Sequence, residues 1–176
     1  RYRITEKPYD IFSFGAEHTL FYQASVTYAQ LFENTERHEL WLFTRVAGVT
    51  WEFIYSADEG KTWSEPVVIP PAYDYYVTNN DRVIRLSSGR LLIPAGEHAS
   101  ALENGRVVHF GPGIGRYFYS DDDGAHWAEG ETPVAITSPH ARGGFQEPGV
   151  LETRDGLLWG WGRTTLGVQY ETFSRD

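Results

Sequence analysis

Short stretches of alternating apolar and polar residues follow one another along the chain, and glycine, asparagine, aspartate or serine turns separate them. Alternation with a period of two predicts half-buried β-strands, and the turn residues predict hairpins. Three hairpins are predicted in this way: residues 27–45 around Asn34, residues 82–95 around Gly89, and residues 149–162 around Gly156. Helical periodicity is scarce, so the pattern indicates an all-β protein.

A second motif, the Asp box, follows the first two hairpins and begins again after the third. Residues 56–63 read Ser-Ala-Asp-Glu-Gly-Lys-Thr-Trp, residues 120–127 read Ser-Asp-Asp-Asp-Gly-Ala-His-Trp, and residues 174–176 read Ser-Arg-Asp. The aspartate can accept turn N–H bonds, the glycine allows a positive φ, and the tryptophan can cover the base of a hairpin. The box is therefore predicted to be an exposed structural turn without catalytic residues, with Trp63 and Trp127 packed inward.

Hairpin, box and flanking strands together predict a unit of four antiparallel strands, and a repeat of roughly 50 to 65 residues is typical of propeller blades. We expect a partial β-propeller of about three blades. Its parts are a lead-in over residues 1–24, a first blade over 25–70, a second over 79–136 and an incomplete third over 146–176, with residues 70–80 and 132–145 as loops between blades. Because a closed ring needs about 4 to 8 blades, we expect the remaining blades to come from a further segment or a second chain.

The composition narrows the possible partners. A net charge of −9 and a pI near 5.1 argue against nucleic acid and anionic membranes. No apolar stretch approaches the roughly 20 residues that a spanning helix needs, and the absence of cysteine excludes disulfides and thiolate metal sites. No metal or cofactor is expected. The compartment stays open, with a secreted or periplasmic location favoured.

Polar residues are enriched where the predicted blades converge. The innermost strand of a blade runs away from the mouth of a propeller and the second strand returns to it, so the starts of first strands and the ends of second strands meet there. The residues at these positions are Tyr28, Arg45, Asn79, Asn80, Asp81, Arg82, His98, Gln146, Glu147, Arg163 and Thr164. This enrichment predicts a binding site, and salt bridges between strands are the structural alternative for part of it. The other histidines, His109 among them, are predicted to be surface or turn residues.

Residues 146–163 carry a family resemblance. They fit the form E-x-x-x-x-E-x-x-D-G-x-L-x-x-x-x-R of the sialidase superfamily, and residues 82–94 and both complete Asp boxes resemble that family as well. The resemblance implies a sialidase-type propeller, six-bladed when complete, and a glycoside hydrolase that acts on a terminal acidic sugar of a glycan. It implies that Glu147 supports a tyrosine nucleophile located beyond residue 176, and that Arg163 is one of three arginines that grip the substrate carboxylate.

The sequence also departs from this family. The Arg-Ile-Pro signature is at best Arg3-Ile4-Thr5, and no aspartate lies between Arg45 and the first box, where a sialidase acid/base is expected. We therefore expect Asp81 or His98 to act as general acid/base together with Glu147. The residues expected to bind the substrate, chiefly through planar guanidinium groups, are Arg45, Asn80, Arg82, Gln146 and Arg163.

Two further hypotheses keep the fold and change the function. Residues 25–45, with Tyr28, also resemble propellers that act as polysaccharide lyases or uronate-linked glycosidases, in which histidine and tyrosine transfer protons. A lyase needs a histidine and a tyrosine that face the same sugar, and its product absorbs in the ultraviolet. A non-catalytic glycan-binding propeller would keep the arginines and show no turnover.

Overall fold

The computed structural model describes residues 3–7, 9–10, 12–20, 26–46, 50–70, 74–79 and 81–175, and the side chains of residues 26–28, 46, 50, 102 and 107 are outside this description. Fourteen strands and no helix are found in this part of the chain. The strands are β1 (Val26–Asn34), β2 (Glu39–Val46), β3 (Thr50–Ser56), β4 (Val67–Val68), β5 (Tyr75–Val77), β6 (Ile84–Arg85), β7 (Leu91–His98), β8 (Ser100–Glu103), β9 (Arg106–His109), β10 (Ile114–Ser120), β11 (Ala128–Glu129), β12 (Gln146–Glu152), β13 (Leu158–Arg163) and β14 (Tyr170–Ser174). The all-β prediction is confirmed, and no described segment is a helix long and apolar enough to cross a membrane.

Three antiparallel sheets follow one another along the chain and form the three blades. The first has the order β1-β2-β3-β4 from inside to outside, the second β5-β7-β10-β11 with β6 also paired to β7, and the third β12-β13-β14. The first and third blades repeat the same path, in which every strand lies beside its predecessor and the inner strand comes first, and the second blade follows it with β6 added beside β7 and the hairpin β8–β9 inserted between β7 and β10. This is the up-and-down order that the sequence repeat predicts.

The strand registers show that the blades are copies of one design. The serine that opens each Asp box pairs with a leucine on the second strand: Ser56 with Leu40, Ser120 with Leu91, and Ser174 with Leu158. Five residues beyond each leucine, at the mouth end, the second strands carry Arg45, Gly96 and Arg163. The two arginines thus occupy equivalent positions in the first and third blades.

The inner strand of every blade leaves the hydrogen-bonded ladder near the mouth. The register shifts lie between Thr27 and Gln30, between Gln146 and Gly149, and between Val77 and Ile84. The shift in the second blade is the largest. Ile84 is seven residues after Val77, whereas their partners on β7, Leu92 and Gly96, are only four residues apart. Such bulges bend a strand and re-aim its side chains.

Two predictions about the second blade are wrong. Residues 70–80, predicted to be a loop, contain β5, and of the predicted strand 82–86 only Ile84–Arg85 pairs with β7. Asp81 adopts φ 58°, a left-handed conformation that a regular strand does not accommodate, so the chain bulges out of the sheet at Asp81. The hairpin β8–β9, inserted between β7 and β10, was also not predicted.

The Asp boxes are structural turns, as predicted. Asp58 accepts hydrogen bonds from the Thr62 N–H (2.8 Å) and hydroxyl (2.7 Å), and the Gly60 N–H donates to Ser56 Oγ (2.8 Å). The backbone bond from Thr62 is the largest cause that lowers the pKa of Asp58 to about 2, and the equivalent bonds from His126 lower the pKa of Asp122 to about 2.

The second box also holds two blades together. Trp127 packs edge-on against Phe53 of the first blade with ring centroids 6.2 Å apart. Gly124 lies so close to Trp41 that a Cβ atom there would come within 2.0 Å of Trp41 Cη2. Trp63 of the first box is half-buried and donates its indole N–H to the Gly60 carbonyl (3.1 Å). The predicted inward packing is thus clear for Trp127 and partial for Trp63.

The main core fills the space between the first and second blades. Trp41 stacks on Phe53 (4.6 Å) and Phe43 on Trp51 (5.5 Å) within the first blade. The side chains that complete this buried cluster from the second blade and its lead-in are Ile69, Tyr76, Val83, Leu91, Ile93, Ala95 and Phe118. Because burial of one large apolar side chain contributes about 1.5 to 3 kcal/mol, this interface fixes the relative positions of the blades.

We expect Gly124→Ala to destabilise the protein more than Gly60→Ala. Both glycines occupy the same box position at positive φ, 83° and 85°, so both variants carry the strain of a left-handed alanine. Only the Gly124 variant also meets Trp41, whereas a Cβ at Gly60 finds its nearest neighbours at 3.6 Å. The excess loss in the free energy of unfolding should be about 1 to 3 kcal/mol, measured by urea denaturation. Equal losses would show that the box does not set the spacing between blades.

Candidate functional site

A charged fork marks the mouth of the third blade. Arg163 donates from Nε and Nη2 to the two carboxylate oxygens of Glu147, at 2.8 and 2.9 Å. Arg163 pairs in register with Gln146, so the next residue along a regular strand would point to the opposite face. The bulge and the positive φ of Glu147, 49°, turn its side chain back towards Arg163. The residues that the family resemblance singles out are therefore in direct contact.

The fork leaves donor capacity on Arg163. A guanidinium group carries five N–H donors, and Glu147 engages one from Nε and one from Nη2. The Arg163 side chain is 53% exposed, so its other N–H groups can reach an anionic ligand. Glu147 fixes the plane of the guanidinium and so determines the direction from which a carboxylate would approach.

The second arginine at the mouth belongs to the first blade. Arg45 is largely buried, and its Nη1 donates to the hydroxyl oxygen of Tyr75 at 2.6 Å. The guanidinium carbon also lies 4.7 Å from the centre of the Tyr75 ring, which is a cation–π contact. Since Tyr75 begins β5, this pair joins the mouth ends of the first and second blades.

Two histidines surround Tyr75. The Tyr75 ring lies 5.8 Å from that of His98, its partner in the β5–β7 register, and 3.8 Å from that of His109 on the inserted hairpin. Burial lowers the pKa of His98 below its usual value, and the charges of His109 and Arg163 lower it further, against an opposing contribution from Asp74. His98 is therefore held towards its uncharged form, which can accept a proton.

The ring of His98 also packs against the segment of the second blade that is bonded to the loop before the third. It lies against Gly113, where a Cβ atom would come within 2.8 Å of His98 Cε1. Gly113 accepts a bond from the Phe145 N–H (2.8 Å) and donates to the Gly143 carbonyl (2.9 Å), in the loop that leads into β12. A Cβ atom on Gly96, two residues before His98, would lie 3.5 Å from Glu147 N, so the mouth ends of the second and third blades adjoin and the side chains there form one group. We call it the mouth cluster, and its members are Arg45, Tyr75, His98, His109, Glu147 and Arg163.

The remaining predicted residues lie around this cluster. Gln146 is half-buried and pairs with Arg163, while Asp81 is exposed on the bulge of the second blade. The described contacts of Arg82 are with residues outside the cluster. Its backbone N–H donates to Gln30 Oε1 (3.1 Å), and its guanidinium carbon lies 5.8 Å from the centre of the Trp161 ring. Asn80 is outside the described residues. Whether Asp81 or Arg82 contacts a ligand stays a prediction.

Tyr75, Asp74 and His109 complete the site and were not singled out from the sequence. Asp74 accepts bonds from the Tyr75 N–H (2.8 Å) and from Ser100 Oγ (2.7 Å), and so holds the start of β5. The sequence signal was a three-residue apolar stretch after an aspartate, which is too short to distinguish from a loop. His109 is exposed, as predicted, but its ring contact with Tyr75 gives it a place in the cluster.

No group of three histidine, aspartate, glutamate or cysteine side chains within the described ranges is close enough to hold a metal ion. The chemistry available at the mouth cluster is that of two guanidinium groups, a carboxylate, a phenol and two imidazoles. This set can bind an anion and transfer protons.

The family model of the BNR repeat-like domain matches residues 17–176, and the chain belongs to this family. A search of curated protein sequences finds no significant match. Together with the solved structures described next, the match confirms membership of the sialidase and BNR-repeat superfamily.

Several solved sialidases have the same fold. A Hadza microbial sialidase, Hz136, is 17% identical with a TM-score of 0.60, and the match covers 88% of this chain and 32% of that one. The Trypanosoma rangeli sialidase in complex with 2,3-difluorosialic acid is 21% identical with a TM-score of 0.54, covering 87% and 27%. An intramolecular trans-sialidase from Ruminococcus gnavus, in complex with oseltamivir carboxylate, is 25% identical with a TM-score of 0.50, covering 76% and 26%. The expected sialidase-type propeller fold is confirmed, and the chain spans about a third or less of each of these proteins.

We expect the His98 imidazole to titrate below its usual pKa, and we expect Arg163→Gln to raise that pKa because a nearby positive charge is lost. NMR titration of the imidazole resonances measures both effects. Arg90→Gln is the matched control, since Arg90 makes a comparable fork with Asp121 (2.6 and 2.9 Å) at the box end of the second blade. A His98 midpoint that is the same in both variants would contradict the proximity of His98 and Arg163.

Proposed function

We propose that two arginines of the mouth cluster, Arg45 and Arg163, bind the carboxylate of an acidic sugar, and that the protein is a sialidase-like glycoside hydrolase acting on a terminal acidic sugar of a glycan. One observation supports this proposal: Arg45 and Arg163 hold equivalent strand positions in the first and third blades, and the second blade adjoins both, with Tyr75 bonded to Arg45 and Gly96 beside Glu147. Planar guanidinium groups are the preferred partners of carboxylates, because they can donate two parallel hydrogen bonds.

The fold similarity supports the same ligand class. The related structures are named as sialidases, and two of them contain 2,3-difluorosialic acid or oseltamivir carboxylate, both of which are anionic. In our proposal Arg163 and Arg45 hold the sugar carboxylate, and Gln146, Arg82 and Asn80 contribute to binding around it. Glu147 orients Arg163 and supports the nucleophile.

The acid/base role has two candidates in this proposal. Burial lowers the pKa of His98 and so favours its uncharged imidazole, the form that can accept a proton. Asp81 is exposed on a bulge, where its carboxyl can approach a ligand without disturbing a strand. Variants of the two residues separate these roles, because only the acting group should set the pH profile of turnover.

A second candidate function is favoured by the contact between Tyr75 and His98. In a uronate lyase an arginine holds the carboxylate, and a base removes the proton from the adjacent carbon, C5. The electrons of that bond form the C4–C5 double bond as the C4–O bond breaks, and an acid protonates the leaving oxygen. His98 could take the C5 proton and Tyr75 could donate one, since their rings are 5.8 Å apart beside Arg45.

We expect Arg163→Lys to weaken binding of the acidic sugar by about 10- to 150-fold, since a lost charge-assisted hydrogen bond is worth about 1.5 to 3 kcal/mol. Arg90→Lys breaks a similar fork at the other end of a blade and should leave the affinity unchanged. Calorimetric titration of the wild type and both variants with N-acetylneuraminic acid and with glucuronic acid gives the comparison.

The outcome also decides between the functions. Release of a free acidic sugar without ultraviolet absorbance supports the hydrolase, an absorbing unsaturated product supports the lyase, and binding without turnover supports a glycan-binding propeller. Equal affinities of the wild type and Arg163→Lys for every acidic sugar that binds would remove the carboxylate site at Arg163.

A further inference from the structure

The connection between the second and third strands differs greatly in length among the blades. It comprises three residues in the first blade (47–49), six in the third (164–169) and fifteen in the second (99–113), where it contains the hairpin β8–β9. These connections start at the mouth end, because the second strands end there. The second blade alone therefore places an additional structural element beside the mouth cluster in the described part of the chain.

One face of the hairpin is fastened to the inner strand of its own blade. Ser100 Oγ donates to Asp74 Oδ1 at 2.7 Å, and the His109 ring lies 3.8 Å from the Tyr75 ring. Ser100 and His109 are directly opposite each other in the β8–β9 register, so they share that face. Because β5 and the outer strand β11 are at opposite edges of the sheet, these contacts hold the hairpin at the inner edge of the blade.

The exit of the hairpin is also held in place. The Phe110 N–H donates to the Ala99 carbonyl (2.9 Å), which closes the base of the hairpin. Three residues later, Gly113 is bonded to Gly143 and Phe145 ahead of the third blade. A hairpin tied at its base, its face and its exit acts as a fixed wall of a site and holds its exposed side chains in defined positions.

His109 is the residue of this wall that is best placed to meet a ligand. Its side chain is exposed although its ring contacts Tyr75, which in turn binds Arg45. An imidazole offers a flat face to the C–H groups of a sugar ring and a nitrogen that can donate or accept a hydrogen bond. Val108, its neighbour on β9, points to the opposite face by strand alternation.

We propose that the hairpin β8–β9 forms a subsite for the sugar unit linked to the bound acidic sugar, and that His109 contacts that unit. The inference rests on the proposed function, because the acidic sugar at Arg163 and Arg45 defines where the linked unit begins. The hairpin thereby selects among acidic glycans by their second unit, while the arginines recognise the first.

The test compares two ligands that differ only in the second unit: N-acetylneuraminic acid and its non-hydrolysable S-linked disaccharide with galactose. We expect His109→Ala to lower the affinity for the disaccharide about tenfold, because one ring contact is lost. The affinity for the monosaccharide should change less than about twofold. His109→Phe keeps the ring and should restore most of the disaccharide affinity. Val108→Ala, on the other face of β9, should leave both affinities unchanged.

Three results would overturn the subsite while leaving the acidic-sugar site intact. They are unchanged affinity of His109→Ala for both ligands, an equal loss for both ligands, and the same loss in Val108→Ala. An equal loss would mean that His109 acts on the carboxylate site through Tyr75. If the wild type binds neither ligand, both this inference and the proposed sialic-acid function are overturned. The wild-type titration alone distinguishes that outcome from the other three, in which the wild type binds.

Discussion

The absence of a side chain at Gly124 is the constraint on which the arrangement of blades depends. The box turn of the second blade presses against Trp41 of the first at a distance that leaves no room for a Cβ atom. Around this contact the aromatic residues of the first blade stack on the apolar strands of the second. The angle between the two blades follows from that packing, and with it the positions of Arg45 and Tyr75, which meet across the same interface at the mouth. A contact at the box end thus controls geometry at the opposite end of the sheets.

Local chemistry made most of the fold predictable from the sequence. The box turns follow from side-chain bonds within a few residues, and the hairpins follow from alternation and turn residues. Strand β5 could not be found in this way, since three residues carry too little periodicity and its pairing partner lies twenty residues on. Glu147 and Arg163 were singled out through the family resemblance of residues 146–163, whereas the contact between Arg45 and Tyr75 depends on how two blades pack. Contacts of that kind have no signature in a single sequence.

The charge distribution sets the mouth apart from the rest of an acidic protein. The chain carries a net charge of −9, which repels an anionic glycan at long range. At physiological ionic strength this repulsion is screened beyond about 8 Å, so the ligand responds mainly to the groups it touches. Arg45 and Arg163 place two guanidinium groups at the mouth, one of them paired with Glu147, and burial lowers the pKa of the neighbouring His98. In the proposed function, a glycan without a carboxylate would lose its hydrogen bonds to these guanidinium groups.

The bulges of the inner strands have a consequence for how such a protein can change over evolutionary time. Glu147 and Asp81 stand where the backbone has already left the ladder, so replacing them breaks no strand pairing and disturbs little of the packing between blades. Residues a few positions away, such as Phe145, are enclosed by neighbouring glycines and tolerate little change. Selection can therefore act on the side chains at the bulges separately from the packed residues that hold the blades together. A lineage can exchange one ligand for another at the bulges while the blades remain the same, and related chains with nearly identical folds can diverge in the glycans they recognise.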